Sequence, residues 1–195
     1  MKRTFDVIVS TLGLLILLPI LLFISLLIKL TSRGSVLFQQ ERIGRDFRPF
    51  LIYKFRTMVA DAPRLGGQLT AGEDPRVTRV GRLLRKTKLD ELPQLFNVLR
   101  GDMSLVGPRP EVRRYVEMFR RDYEQILKAR PGITDLASLR YRNESEILGR
   151  ATNAEEEYVK NILPEKIRLN KEYLGSSSLL YDLGLIAKTV GALFT

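Results

Sequence analysis

The feature that most restricts this chain is an uncharged run of 22 residues, Val7 to Ile28, dominated by Leu, Ile and Val. As a straight helix it spans about 33 Å, enough to cross a bilayer core of roughly 30 Å. It is too long for a signal peptide and lacks a small-residue cleavage site. It is also too apolar for a core helix in water. Two features qualify a simple span. Lys2 and Arg3 flank one end while Lys29 and Arg33 flank the other, so the basic flanks set no direction. Pro19 lies near the middle, where it removes a hydrogen bond and bends the helix. Bent there, the arms reach only about 18 and 14 Å, and both ends return to one face. The residues therefore favour a re-entrant membrane hairpin over residues 1–33, broken at Pro19 with Lys2 and Arg3 at its base. The alternative is a kinked transmembrane helix.

Residues 34–195 are enough for one modest domain. Neither Cys nor His occurs. Thiolate nucleophiles, disulfides, Cys-ligated zinc and every His-based triad are thereby excluded. Chemistry must come from carboxylates, Lys, Tyr or hydroxyls, and carboxylates beside phosphate favour a hard cation such as Mg²⁺. A net charge of +10 requires a polyanionic partner: nucleic acid, anionic lipid or a nucleotide diphosphate.

The stretch around Asp90 and Glu91 is the densest in chemistry. From Arg76 to Arg100 there are seven Lys/Arg and only these two acids. Leu92, Leu95, Phe96 and Leu99 recur at helical spacing, which predicts an amphipathic helix with both acids at its start and Pro93 in its first turn. Capping alone accounts for two acids at a helix start; catalysis is the competing reading. Upstream, Val36–Gly44 and Phe50–Met58 predict a hairpin of short strands, whose second strand carries Lys54 and Arg56. Asp61–Pro75 reads as a mobile or substrate-covering loop and Arg76–Lys86 as a basic helix that includes Arg85. Downstream, Gly107-Pro108-Arg109-Pro110-Glu111 predicts a rigid turn holding Arg109 in a set direction. Val112–Leu127 reads as a surface helix, and residues 154–174 as a helix restarted near Pro164. The tail carries Leu179, Leu180, Leu183, Ile186, Val190 and Leu193, a face suited to packing on the core or lying in a membrane interface. The expected class is α+β: mainly helical, with one short β-hairpin, a re-entrant membrane helix and one cytosolic catalytic domain bearing interfacial amphipathic helices.

Taken in order, these motifs resemble the small, single-catalytic-domain form of the monotopic phosphoglycosyl transferases, a group of bacterial sugar transferases. The resemblance runs nearly end to end. It rests on Lys2-Arg3-x-Phe5-Asp6, Gln40-x-Arg42-x-Gly44, Lys54-Phe55-Arg56-Thr57-Met58, Leu89-Asp90-Glu91-Leu92-Pro93-Gln94, Gly101-Asp102-Met103-Ser104 through Glu111, and Pro131-Gly132-Ile133-Thr134. It implies transfer of a phosphosugar from a nucleotide diphosphosugar to polyprenol phosphate at the cytosolic face of the bacterial inner membrane, giving a polyprenyl diphosphosugar and a nucleoside monophosphate. It implies Asp90 as nucleophile, Glu91 as Mg²⁺ ligand, and a membrane helix broken at Pro19. Lys54, Arg56, Arg85, Arg109, Pro110 and Glu111 become the expected phosphate and nucleotide contacts. Downstream glycosyltransferases are the implied partners, with nucleic acid set aside. Three positions depart from the common pattern: Gly34-Ser35-Val36 before the hairpin, Asp135 after Pro131-Gly132-Ile133-Thr134, and Asn170 in the late Asp-x-x-Tyr element. A basic nucleic-acid binder, a metal-dependent diphosphate hydrolase and a catalytically silent scaffold are the rival readings.

Overall fold

The apolar run forms the middle of a single helix, α1 (Lys2–Thr31), in the computed structural model; it continues through Pro19, where the sequence predicts a break, because a proline removes one hydrogen bond without ending the helix. Residues 1–65, 67 and 69–192 are described; Leu193, predicted on the apolar face of the tail, lies outside them. By length and composition α1 is able to cross a membrane. Only Asp6, Ser10, Leu21, Ile24 and Ile28 of this helix are buried. Ile16 and Leu30 are each 74 % exposed, and large apolar side chains line the uncovered face between them. An uncovered apolar surface of that extent belongs against lipid or another protein.

The predicted hairpin forms as β1 (Leu37–Ile43) and β2 (Pro49–Phe55), antiparallel, with Phe38 opposite Lys54 and Gln40 opposite Ile52. Next come α2 (Ala62–Leu65), α3 (Arg79–Lys86) capped by the Thr78 side chain, and α4 (Gln94–Arg100) closed by Gly101 at φ 91. Part of the predicted loop is docked: the Gly72 N–H donates to the Ser145 carbonyl at 2.7 Å, and Leu69 and Ala71 pack on the core. The structure adds a second, parallel pair, in which β3 (Ser104–Val106) lies beside β4 (Gly132–Thr134), with Val106 opposite Thr134. The approach is so close that a Cβ on Gly132 would sit 2.1 Å from the Gly107 nitrogen. Spacing alone marks these stretches as turns, because the pairing joins segments far apart in the chain.

The remaining elements are helical: α5 (Arg113–Met118), α6 (Arg120–Ile126), α7 (Leu136–Arg140), α8 (Glu144–Arg150), α9 (Ala154–Glu157), α10 (Leu163–Ser176) and α11 (Leu179–Ala192). The predicted helix Val112–Leu127 is thus two helices broken at Phe119, and it is no surface element: Val116, Tyr123 and Ile126 are fully buried against Tyr158, Ile162 and Leu163. The restart expected near Pro164 is present, with a wide π turn at Tyr158–Ile162 leading into α10. α11 buries Asp182 and Leu185 against the body and leaves Leu180 and Val190 exposed.

Polar bonds fasten both ends of α1 to this body. The Lys2 ammonium donates to the Val106 carbonyl (2.9 Å) and the Tyr173 hydroxyl (2.8 Å) and pairs with Asp182. Arg3 donates to the carbonyls of Val98 and Leu99, at the end of α4. Asp6, 3 % exposed, accepts from the Ser104 hydroxyl (2.9 Å) and the Leu105 N–H (3.2 Å). At the other end Arg56 donates to the Ser32 carbonyl (3.0 Å) and hydroxyl (2.8 Å). Asp6→Ala would strand two buried donors at β3. We expect it to cost about 2–3 kcal/mol, lowering the melting temperature of the detergent-solubilised protein by roughly 4–12 °C. A melting temperature within a degree of wild type would show that Asp6 does not hold α1 to β3.

Candidate active site

α3 ends at Lys86, with Thr87 as its C-cap, and the chain reverses through Lys88, which adopts the left-handed conformation (φ 56, ψ 13). A non-glycine residue there costs about 1–2 kcal/mol, and such strain concentrates at functional sites. The reversal delivers Asp90 and Glu91 in a short 3₁₀ turn, Leu89–Glu91. This corrects the sequence expectation: α4 begins only at Gln94, Pro93 precedes it, and neither acid caps it. Positive potential at the pair comes from side chains rather than from a helix end.

Those side chains arrive from three directions. β2 places Lys54, whose ammonium donates to Glu91 Oε1 at 2.7 Å. The rigid turn after β3 places Arg109, whose guanidinium donates to the same oxygen at 2.5 Å. α3 places Arg85, whose Nε donates to Thr57 Oγ1 at 2.8 Å. This requires Gly81, because a Cβ there would lie 2.0 Å from the Thr57 carbonyl oxygen. Lys88 completes the set of cations, and the charges of Lys54, Lys88 and Arg85 all act on Asp90.

The two acids sit in opposite electrostatic situations. Asp90 is 8 % exposed and its Oδ1 has no hydrogen-bond partner. Burial pushes its carboxyl above the usual range, with Lys54 opposing. For Glu91 burial acts in the same upward direction, but Arg109 and Lys54 outweigh it and hold the carboxyl well below its usual range. Burial pulls both Arg85 and Lys88 down from their ordinary values, against the nearby acids. In free peptides Asp titrates below Glu. Here the order is inverted, which predicts that in ¹³C-carboxyl-labelled protein Asp90 takes its proton at higher pH than Glu91. The stability consequences have opposite signs. The cost of ionising Asp90 develops as the pH rises from the ordinary Asp range and is complete above its raised value. The Glu91 pairing adds stability that is complete above the ordinary Glu range and lost as pH falls through its depressed value. Titration in the ordinary Asp-before-Glu order would contradict this arrangement.

The structure thus brings together Lys54, Arg85, Asp90, Glu91 and Arg109. Other predicted phosphate contacts lie elsewhere. Arg56 is turned to the end of α1, where its NH2 is bonded to Ser32. The Pro110 carbonyl accepts from Arg42, and Glu111 accepts from the Tyr158 hydroxyl at 2.6 Å and pairs with Arg42. Both therefore anchor the hairpin to the buried helices. Lys2, Arg3 and Pro19 all lie in α1, and the first two are latches to the domain. Lys88 and Thr57 are members of the site that sequence reasoning misses, although Lys88 stands only two residues before Asp90. Ser138, which meets Arg109, carries no sequence signal.

Among the described residues no group of three acidic ligands could hold a metal ion. The pair itself fits a hard cation. Lys54 and Arg109 converge on Glu91 Oε1, which leaves Oε2 outside these bonds, and Asp90 Oδ1 is buried without a partner. One or two carboxylate oxygens completed by substrate phosphates and water is the usual Mg²⁺ arrangement.

The chain thus combines an apolar helix long enough to cross a membrane with a buried carboxylate pair ringed by cations. The chain belongs to the bacterial sugar transferase family, whose sequence model matches residues 1–195. It is 39% identical over 199 residues to the UDP-N-acetylgalactosamine-undecaprenyl-phosphate N-acetylgalactosaminephosphotransferase of Aeromonas hydrophila, covering 100% of this chain and 44% of that protein. It is 38% identical over 195 residues to the UDP-glucose:undecaprenyl-phosphate glucose-1-phosphate transferase of Escherichia coli K12, covering 97% of this chain and 39% of that protein. With the exopolysaccharide production protein PSS of Rhizobium leguminosarum it shares 40% identity over 199 residues, covering 97% of this chain and 93% of the relative. The chain spans less than half the length of the first two relatives.

Proposed function

We propose that this protein transfers a phosphosugar from a UDP-sugar to polyprenol phosphate through a covalent intermediate on Asp90, giving a polyprenyl diphosphosugar and UMP. The observation that carries the reading is Asp90 itself: a buried carboxylate oxygen with no partner, among three cations, beside a glutamate whose own charge is already neutralised. Two relatives are named for UDP-sugars and undecaprenyl phosphate, which supports the substrate classes.

Two displacements balance the reaction. Asp90 Oδ1 attacks the phosphorus that bears the sugar; an O–P bond forms, the diphosphate bridge breaks, and UMP leaves with the electron pair. A phosphate oxygen of the polyprenol then attacks the same phosphorus and returns Asp90 as a carboxylate. Splitting one displacement in two lets each substrate be handled separately. Arg85 and Lys88 offset the charge that a negative nucleophile meets on approaching a diphosphate, and Arg109 and Lys54 fix the wall of the site at Glu91. Mg²⁺ held by Glu91 and the diphosphate would draw further charge from the phosphoryl oxygens.

The lipid substrate explains α1. With Lys2, Arg3 and Asp6 at one end and Ser32 at the other bonded to the same body, a helix that dips into one leaflet fits better than one that carries its ends to opposite faces. On this reading residues 1–33 are the re-entrant anchor at the inner membrane and residues 34–195 the cytosolic catalytic domain. Its product would be the substrate of glycosyltransferases that extend the sugar. The deciding experiment is a panel of UDP-sugars with polyprenol phosphate, scoring UMP and lipid-linked sugar together. Stoichiometric formation of both supports transfer. UMP without lipid product would instead mark a diphosphate hydrolase.

A further inference from the structure

We propose that Ser138, oriented by Asp135, is the positioning residue that fixes the Arg109 guanidinium against Glu91. β3 and β4 run parallel with Val106 opposite Thr134, and the Gly107 N–H donates to the Thr134 carbonyl at 3.1 Å. Arg109 and the start of α7 therefore leave the same ends of two adjacent strands. A Cβ on Gly107 would lie 2.4 Å from the Arg130 carbonyl oxygen, so a glycine is needed for this approach.

Hydrogen-bond direction supplies the rest. Arg109 NH1 donates to Ser138 Oγ at 3.1 Å while its NH2 donates to Glu91 at 2.5 Å, so the guanidinium is held at both prongs. A guanidinium only donates, which obliges Ser138 Oγ to accept from it. The serine proton must then go elsewhere, and it goes to Asp135 Oδ2 at 2.5 Å. The other oxygen of Asp135 accepts the Ser138 N–H at 2.8 Å and caps α7. Asp135 is fully buried. The chain of donation runs one way, from Arg109 to Ser138 to Asp135. A glycine at position 135 would leave the serine hydroxyl free to turn its proton toward Arg109.

The role of Asp135 as a cap and its role as an orienter separate experimentally. Asp135→Asn keeps the cap, because Asn and Asp are equally good at that position and its carbonyl still accepts the Ser138 N–H. Its amide, however, becomes a donor toward Ser138 Oγ. The hydroxyl loses its acceptor and must receive two donors, with its own proton competing for the space before Arg109. The activity readout rests on the proposed transfer reaction. We expect Asp135→Asn to lower kcat for UMP release about tenfold or more, with a smaller change in KM and a melting temperature close to wild type. Ser138→Thr, which keeps the hydroxyl, should retain most of the activity. Ser138→Ala should lose activity, and Asp135→Asn added to Ser138→Ala should cost much less than it does alone, because the hydrogen bonds reach Arg109 through the serine and only the charge of Asp135 acts on it directly.

A second readout needs no turnover. In ¹⁵N-arginine-labelled protein the two Nη resonances of Arg109, assigned by their loss in Arg109→Lys, should be resolved in wild type and coalesce in Asp135→Asn as guanidinium rotation is freed. Wild-type kcat in Asp135→Asn, multiplicative losses in the double variant, or unchanged Nη resonances would each overturn the proposal. If wild-type protein releases no UMP from any donor, the transfer reading fails, and the Nη resonances still decide the positioning role.

Discussion

Asp90→Asn is expected to reduce UMP release by at least about 10³-fold, with or without lipid acceptor, because the first displacement has no other nucleophile. The acceptor-free assay matters. A single-step reaction, with polyprenol phosphate attacking the donor directly, would produce no UMP without lipid even in wild type, whereas the covalent route gives a stoichiometric burst. The same substitution should not unfold the protein. Burial raises the Asp90 carboxyl above the usual range, so at neutral pH the ionised form is held at a cost, and asparagine resembles the form the site prefers. The variant should therefore melt at or above the wild-type temperature near neutral pH, the advantage fading as the pH falls and Asp90 becomes protonated. A dead but more stable variant is the signature of a residue kept for chemistry. Near-wild-type turnover in Asp90→Asn would remove Asp90 as nucleophile.

Arg109→Ala should be destabilising as well as inactivating. It takes from Glu91 the hydrogen bond at 2.5 Å and most of the charge that offsets its burial. Removing one partner of a buried pair typically costs about 3–5 kcal/mol. Lys54 remains on the same oxygen and both side chains keep some solvent contact, so about 2–4 kcal/mol is the expectation here. The cost should fall mostly on the stranded carboxylate. The double variant Arg109→Ala, Glu91→Gln is therefore predicted to recover a large part of the stability but none of the activity, measured as denaturation midpoints in detergent. Additive losses in that double variant would mean that Arg109 supports the fold independently of Glu91.

Much of the fold is legible in the order of residues. The short stretches on either side of Gly44–Pro49 form β1 and β2 as expected, because strand-forming residues and the turn between them are local signals. Pro164 begins α10 as a proline in a first turn should, whereas the helix expected to break at Pro19 runs on through it. The departures share a cause. The conspicuous charges of Val112–Leu127 suggest a surface helix, yet what decides its place is the apolar face that meets Tyr158 and Ile162. Lys2, Arg3 and Asp6 read as the flank of a membrane segment, yet their partners at Val98, Leu105 and Asp182 stand some hundred residues or more away.

The sequence by itself determined the kind of chemistry open to this protein. With no His and no Cys, chemistry was left to carboxylates, Lys, Tyr or hydroxyls, and two adjacent acids set among Lys and Arg stood out, in a chain with a helix long and apolar enough to cross a membrane. Tertiary structure decided which cations serve that pair. Of the basic side chains, Lys54 reaches Glu91 from 37 residues upstream and Arg109 from 18 downstream, while Arg56, two residues from Lys54, faces the end of α1 instead. Composition and periodicity are properties of neighbours along the chain. A charge's partner and its degree of desolvation depend on how distant strands and helices pack, and here the packing of β2 and the β3–β4 junction against the Leu89–Glu91 turn made Glu91 a neutralised wall and left Asp90 unpaired.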